Sequence, residues 1–220
     1  MVASPRRPAV GPARAREAMT AVVVEPMRRR HIRGVMAIEQ LVYPKPWTPA
    51  LFLSELAQPK SRTYLVALEN SRSFLRRRNV LGYAGVMVAV GEAHITTVAA
   101  HPHHHRRKIA SRLLVQLLRE ARLLGAEAAT LEVRVNNRGA QRLYAAFGFA
   151  PVGVRPGYYA ETGEDALIMW ASGLLSDAYA DILQHQAARL ARPGGDSGAA
   201  DLHVPWVQQR VGLPADTGRD

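Results

Sequence analysis

The stretch 97-TVAAHPHHHRRKIASRLL-114 decides how this chain is read. It opens as a run of small and β-branched residues and passes through a turn of histidines and basic side chains. From Ile109 the apolar residues Ile109, Leu113, Leu114, Leu117, Leu118 and Ala121 recur at spacings of three to four, which defines one helix face. Upstream, 93-AHITTVAA-100 is β-rich. Downstream, Gly125 stops the helix, and 125-GAEAATLEVRV-135 reads as a further strand. Strand, turn, helix, strand predicts a right-handed parallel crossover. The first amides of a helix have no intrahelical acceptor, and the helix dipole is positive there. An anion suits such a turn, and Arg106, Arg107 and Lys108 add charge at the same point.

Working outward, 20-TAVVVEPM-27 reads as a short strand. Ile32, Val35, Met36, Ile38, Leu41 and Val42 mark a first helix, broken by 43-YPKPW-47 because proline cannot continue it. Thr48 and Pro49 start a second helix, a hydroxyl cap followed by proline at the first helical position, with Leu51, Phe52 and Leu56 as its buried face. The runs 63-TYLVALE-69 and 80-VLGYAGVMVAV-90 are strands joined by the polar loop 70-NSRSFLRRRN-79, and a turn at Gly91-Glu92 leads into the next. Beyond the crossover, Asn136 and Asn137 cap the helix in 138-RGAQRLYAAFGF-149, closed by Gly148. The segments 151-PVGVRPGYY-159 and 164-EDALIMW-170 finish the domain as two strands. The expectation is a mixed α/β fold of about seven strands and four helices. Leu174, Leu175, Ala178, Tyr179, Ile182 and Leu183 then predict a further amphipathic helix laid on the domain.

Domain organisation follows: a basic leader over 1–20, one domain over 21–170, an accessory helix over 171–191 and a tail over 192–220. The net charge of +11 divides unevenly. Residues 1–33 hold eight arginines and two glutamates, a net of +6. Residues 34–170 carry +7, and residues 171–220 carry −2. Much of the positive charge therefore lies in an Arg/Pro-rich arm, which reads as a disordered leader, or as residues upstream of a start at Met19 or Met27. It is also where any nucleic-acid contact is expected. The Gly/Pro/Asp-rich tail is expected to be flexible. The absence of cysteine removes disulfide frameworks and thiolate chemistry and fits a cytoplasmic protein. No apolar run approaches the ~20 residues that span a bilayer.

The histidines 103–105 are successive in a turn, so their side chains diverge, and no acidic or cysteine partner lies nearby. Metal ligation needs converging donors, so a solvated basic loop is the expected reading and no metal is expected. Base stacking would need interleaved aromatics, which this stretch lacks.

Three motifs together resemble the GNAT acetyltransferase superfamily and, more narrowly, the RimI-type ribosomal-protein-alanine N-acetyltransferases. They are TVAAHPHHHRRKIASRLL, LEVRVNNRGAQRLYAAFGF and GVRPGYYAETGEDALIM, with the PW before the second helix in support. The resemblance covers roughly residues 21–170. It implies that the backbone of Val98, Ala99 and Ala100 pairs with the pantetheine arm of acetyl-CoA. It implies equally that the turn Arg106, Arg107, Lys108, Ile109, Ala110 and Ser111 holds the pyrophosphate, with Asn137 as a further cofactor contact. The family usually has glycine where this chain has Lys108 and Ala110. Either Lys108 narrows the phosphate approach or its ammonium grips the phosphates.

For chemistry, the resemblance implies Glu132 as general base toward the substrate amine and Tyr144 as general acid toward the departing thiolate. Trp47, Arg134, Tyr158 and Tyr159 would shape a peptide groove. Taken alone, a strand glutamate reads as solvent-facing, a helical tyrosine as core, a tryptophan as core and an arginine as an ion-pair partner. The expected activity is acetyl-CoA-dependent Nα-acetylation of a protein N-terminus, the resemblance implying the alanine of the eighteenth small-subunit ribosomal protein. Two alternatives stay open: an acetyltransferase of lysine side chains or small amines, and a non-catalytic module that senses acetyl-CoA or binds RNA.

Overall fold

A computed structural model describes residues 22–69, 79–104, 107–191 and 207–208. The leader expected at 1–20, most of the loop expected at 70–79 and most of the tail expected at 192–220 lie outside the described residues. The elements run β1 (Val22–Pro26), α1 (Ile32–Val42), α2 (Pro49–Leu56), β2 (Arg62–Glu69), β3 (Val80–Ala89), β4 (Glu92–Ala100), α3 (Ile109–Leu123), β5 (Ala128–Arg134), α4 (Arg138–Ala145), β6 (Ala150–Tyr159), β7 (Glu164–Ser172), α5 (Asp177–Ala191) and a two-residue β8 (Val207–Gln208).

The strands form one mixed sheet in the order β1-β2-β3-β4-β5-β7-β6, with β8 added to β4. All neighbours are antiparallel except β4 and β5, the pair joined by α3. The central strands are buried on both faces, which is why they read as near-continuous apolar runs. In β2, Leu65 and Ala67 join the cluster under α3, while Tyr64, Val66 and Leu68 join the one under α1 and α2. All six residues assigned to the apolar face of α3 are buried.

Caps fall where the sequence puts them. Thr48 accepts from the Leu51 amide, and Gly125 and Gly148 take the left-handed conformation that ends α3 and α4. Three expectations need correction. Leu51 is 39% exposed, because α2 turns only Phe52 fully inward. The hairpin before β4 turns at Val90-Gly91, both at positive φ, one residue earlier than expected. Leu174 and Leu175 precede α5, and only Leu174, Tyr179 and Leu183 of the expected stripe are buried. The helix docks through polar contacts as well: Tyr179 Oη donates to the Phe147 carbonyl, Gln186 Nε2 to Ala146 and Arg112 of α3 to Leu190.

Two irregularities shape the centre of the sheet. Gly85 pairs with Thr97 and Val86 with Ile95, so Thr96 is an extra residue on β4. Such a bulge bends the strand that carries it. Pairing between β4 and β5 is confined to Glu92–His94 against Ala128–Thr130. After the bulge the two parallel strands part, and Val98 to Ala100 carry on toward α3 without β5 beside them.

Candidate active site

Parting strands leave main-chain groups of β4 unpaired by β5, directly upstream of the α3 turn. Val98, Ala99 and Ala100 are buried. The backbone of Thr97 and Val98 is paired with β8. In α3 the first ladder bond runs from the Arg112 amide to the Lys108 carbonyl, so the amides of Ile109, Ala110 and Ser111 precede the ladder. Arg107 lies 3.5 Å from Glu69, and Lys108 is exposed. Arg106 lies outside the described residues. Lys108 itself sits at φ 52 and ψ 32, in the left-handed region. Glycine adopts that conformation without penalty, which is the physical reason a glycine is usual here. The rings of His101, His103 and His104 pack on one another, with centroids 5.2 Å apart. Among the described residues no group of three or more histidine, aspartate or glutamate side chains converges on one point.

The second half of the site lies on the α1/α2 face of the sheet. Glu132 is only 3% exposed, where a strand glutamate read alone would face solvent. It lines a cavity of about 400 Å³ with His94, Thr130, Val152, Arg155, Tyr158, Ile168 and Trp170. Arg155 Nη1 stands 3.1 Å from Glu132 Oε1, and His94 Nε2 stands 3.3 Å from Glu132 Oε2. Burial pushes the Glu132 carboxyl up, and the Arg155 guanidinium partly opposes that. Burial, with Arg155 and Arg62, pushes His94 down to about 4, so its imidazole is neutral at physiological pH.

A wide bulge in β6 presents Arg155 and Tyr158. Arg155 pairs with Ala166 and Tyr159 with Glu164, so three residues of β6 face one of β7. Gly157 takes φ 60 there, and its amide donates to Asp165 Oδ1 at 2.7 Å. Tyr158 stacks edge-on against Tyr159 and has its hydroxyl pushed up to about 12, chiefly by burial. Tyr159 Oη donates to the Glu132 carbonyl at 3.5 Å.

Tyr144, on α4, is buried and packs against Phe149. Burial, reinforced by nearby Tyr43, pushes its hydroxyl well above the usual range, so it keeps its proton. Tyr43 Oη lies 3.4 Å from Thr97 Oγ1 beside the bulge. Three other expected site residues have structural roles. Asn137 Oδ1 caps α4 by accepting from the Ala140 amide. Arg134 clasps the β6–β7 hairpin, donating to Thr162, Glu164 and Glu161, with its guanidinium 3.9 Å over the Tyr159 ring. Trp47 is buried against Phe52, its amide bonded to Glu39 at 2.7 Å, and it does not line the Glu132 cavity. Glu39 also accepts from Tyr83 Oη, so this buried carboxylate ties α1 to the sheet.

His94 and Arg155 went unassigned in the sequence. A signal existed for one of them: His94 occupies the last β4 position paired with β5, one strand step from Glu132.

A parallel pair that parts over a bulge, a phosphate-type helix N-terminus on one side and a buried carboxylate on the other define the N-acetyltransferase class of the GNAT fold. The chain belongs to the acetyltransferase (GNAT) family, whose pattern matches residues 32–149. A Bacillus subtilis protein provisionally named a ribosomal protein bS18-alanine N-acetyltransferase is 34% identical over 153 residues, 70% of this chain and 97% of that one. The crystal structure of the Escherichia coli ribosomal-protein-S18-alanine N-acetyltransferase superposes with a TM-score of 0.60 at 25% identity, covering 70% of this chain and 94% of that chain. The Thermoplasma acidophilum PaiA N-acetyltransferase, solved with coenzyme A, shares the fold at a TM-score of 0.56 and 13% identity, over 69% of this chain and 99% of that one.

Proposed function

We propose that this chain is an acetyl-CoA-dependent Nα-acetyltransferase of protein N-termini, acting on the N-terminal alanine of ribosomal protein bS18 in the cytoplasm. The observation that carries the reading is the Glu132 carboxylate, buried at the wall of an open cavity and directly paired with Arg155. A carboxylate kept there is costly unless it has work to do. The relatives named above act on that alanine or are provisionally named for it, which selects the substrate. Among the described residues no helix is long and apolar enough to cross a membrane.

The residues present fit acetyl-CoA. The β4 main chain from Val98 to Ala100, freed from β5, would pair with its pantetheine arm, while the α3 amides with Arg107 and Lys108 would hold its phosphates. When bound, it supplies an acyl group activated as a thioester.

This chain's own groups manage the protons. An N-terminal ammonium has a pKa near ~8 and must lose a proton before it can attack. Glu132, ionised at neutral pH, accepts that proton directly or through water. A main-chain amide near Val98 donates to the oxygen on which negative charge develops. Tyr144 gives its proton to the departing sulfur. Overall an ammonium and a thioester become an amide, a thiol and one released proton, so Tyr144 is reprotonated at the end of the cycle.

Acetyl-CoA turnover against a panel tests the reading: a bS18 N-terminal peptide, the same peptide beginning with another residue, a blocked lysine peptide and a small polyamine. The bS18 peptide should exceed the others by at least tenfold in kcat/KM. Preference for lysine or polyamine would establish the side-chain alternative. Binding of acetyl-CoA without turnover of any acceptor would establish the sensing module.

A further inference from the structure

The cavity wall holds two buried polar atoms that the described residues leave unsatisfied. They are His94 Nε2 and Glu132 Oε2. They lie 3.3 Å apart, yet neither has a hydrogen-bond partner, so they are not aligned on each other. Side-chain exposure is 15% for His94 and 4% for Glu132. Buried polar atoms left without partners are rare and destabilising. Two of them side by side, opening on one cavity, point to a guest that satisfies both.

The chemistry of the two atoms selects the guest. An ionised carboxylate only accepts, and a neutral imidazole offers one lone pair as an acceptor. The guest must therefore donate two hydrogens from one atom, as a primary amine or a water does. An apolar group would satisfy neither acceptor. A carboxylate or phosphate would repel Glu132.

We propose that His94 is the second contact of the incoming amino group, which is held, directly or through one water, between His94 Nε2 and Glu132 Oε2. This rests on the acetyltransferase reading and adds a residue to its amine site. As the nitrogen gives one proton to Glu132, a remaining N–H donates to His94, aiming the nitrogen lone pair at the acyl carbon. The C–N bond forms and the C–S bond breaks as described above, and His94 stays neutral throughout. The demand for two hydrogens on the nitrogen also explains selectivity: a secondary amine, such as an N-terminal proline, leaves one acceptor unpaired once it has been deprotonated.

Other ionisable groups face this pair. They are Arg155, Tyr158 and Tyr159 of β6, and Arg62 of β2, which pairs with Glu55 of α2 at 3.2 Å. Substitutions at His94 leave all of these in place. His94→Leu keeps the bulk and removes the acceptor. His94→Gln restores an acceptor at similar reach.

The test is pH-dependent kinetics on an alanine-initiated peptide, with acetyl-CoA affinity measured by calorimetry. His94→Leu should lower kcat/KM at least tenfold and move the acid limb of the profile to higher pH, because an apolar neighbour desolvates Glu132 further. His94→Gln should recover to within about threefold of wild type with the limb in place. Acetyl-CoA affinity should not change in either. Should the leucine variant fail to fold, His94→Asn, polar but too short, should show the same kinetic loss. Wild-type rates in His94→Leu would overturn the inference. So would equal loss in the leucine and glutamine variants with an unmoved profile, since that is the behaviour of a packing residue. If Glu132→Gln is inactive while His94→Leu is not, only the His94 inference falls. If the wild-type chain acetylates no N-terminal peptide, the acetyltransferase reading falls and the inference with it.

Discussion

The two halves of the site are built on opposite physical plans. The α3 turn is a continuous piece of chain from Val98 to Ser111, close to solvent, with its charge carried by cations and helix amides. The Glu132 cavity is assembled from β4, β5, β6 and β7, and its carboxylate is only 3% exposed. At the turn, charges are screened by salt and no single group decides the outcome. In the cavity one buried charge with one guanidinium partner carries most of the consequence. Substitutions should therefore have large, pH-dependent effects in the cavity and modest, salt-dependent effects at the turn.

The largest effect is expected at Glu132. Glu132→Gln should lower kcat/KM by about two orders of magnitude, the scale of a lost general base. Part of the rate should return at high pH, where the amine is already neutral. Because burial raises the Glu132 carboxyl, the wild-type acid limb should lie above an ordinary carboxylate's. The base is present above that raised value and lost as pH falls through it. Tyr144→Phe should lower kcat with little change in acetyl-CoA affinity and no recovery at high pH, since the lost proton belongs to the sulfur. Near-wild-type rates in both variants would break the contrast and put the sensing module first.

That contrast also explains what the sequence could disclose. The α3 turn was legible because strand, turn and helix face are consecutive, and all six residues assigned to the α3 face are buried. The β4–β5 crossover followed from the same run. Glu132 and Tyr144 were found through a resemblance, because neither periodicity nor spacing says which strand glutamate is buried. His94, Thr130, Arg155, Tyr158 and Trp170 share one cavity only through sheet order, in which β7 intervenes between β5 and β6. That order cannot be read from local pattern. Arg134 and Asn137 show the converse: their motif positions are as expected, but their visible contacts are a hairpin clasp and a helix cap.

Lys108 should give an effect of middle size, and it divides two terms that the sequence left together. Its left-handed backbone carries a penalty of ~1–2 kcal/mol for a residue with a Cβ. Lys108→Gly removes that penalty and should raise thermal stability by a few degrees. The same change removes the ammonium and should raise KM for acetyl-CoA several-fold, less so at high salt. Lys108→Ala should match that KM without the gain in stability. Tighter acetyl-CoA binding by the glycine variant would instead make the side chain an obstruction.

The smallest effect concerns β8, which lies on Thr97 and Val98, the β4 backbone assigned above to the pantetheine arm. The energetics say that this pairing is weak. Each main-chain hydrogen bond contributes about 1 kcal/mol net, and each residue held in place costs about 1–2 kcal/mol of backbone entropy. A two-residue strand therefore comes out near zero, and the paired state competes with the unpaired one on nearly equal terms. A ligand that needs the same edge has its apparent affinity reduced only by the fraction unpaired. Ending the chain after Ala191 should accordingly lower KM for acetyl-CoA by no more than about threefold and leave kcat unchanged. The comparison is steady-state kinetics of the shortened and full chains at saturating peptide. A gain above tenfold would make the segment an internal inhibitor of the α3 half of the site. A rise in KM would mean that β8 helps to build that half.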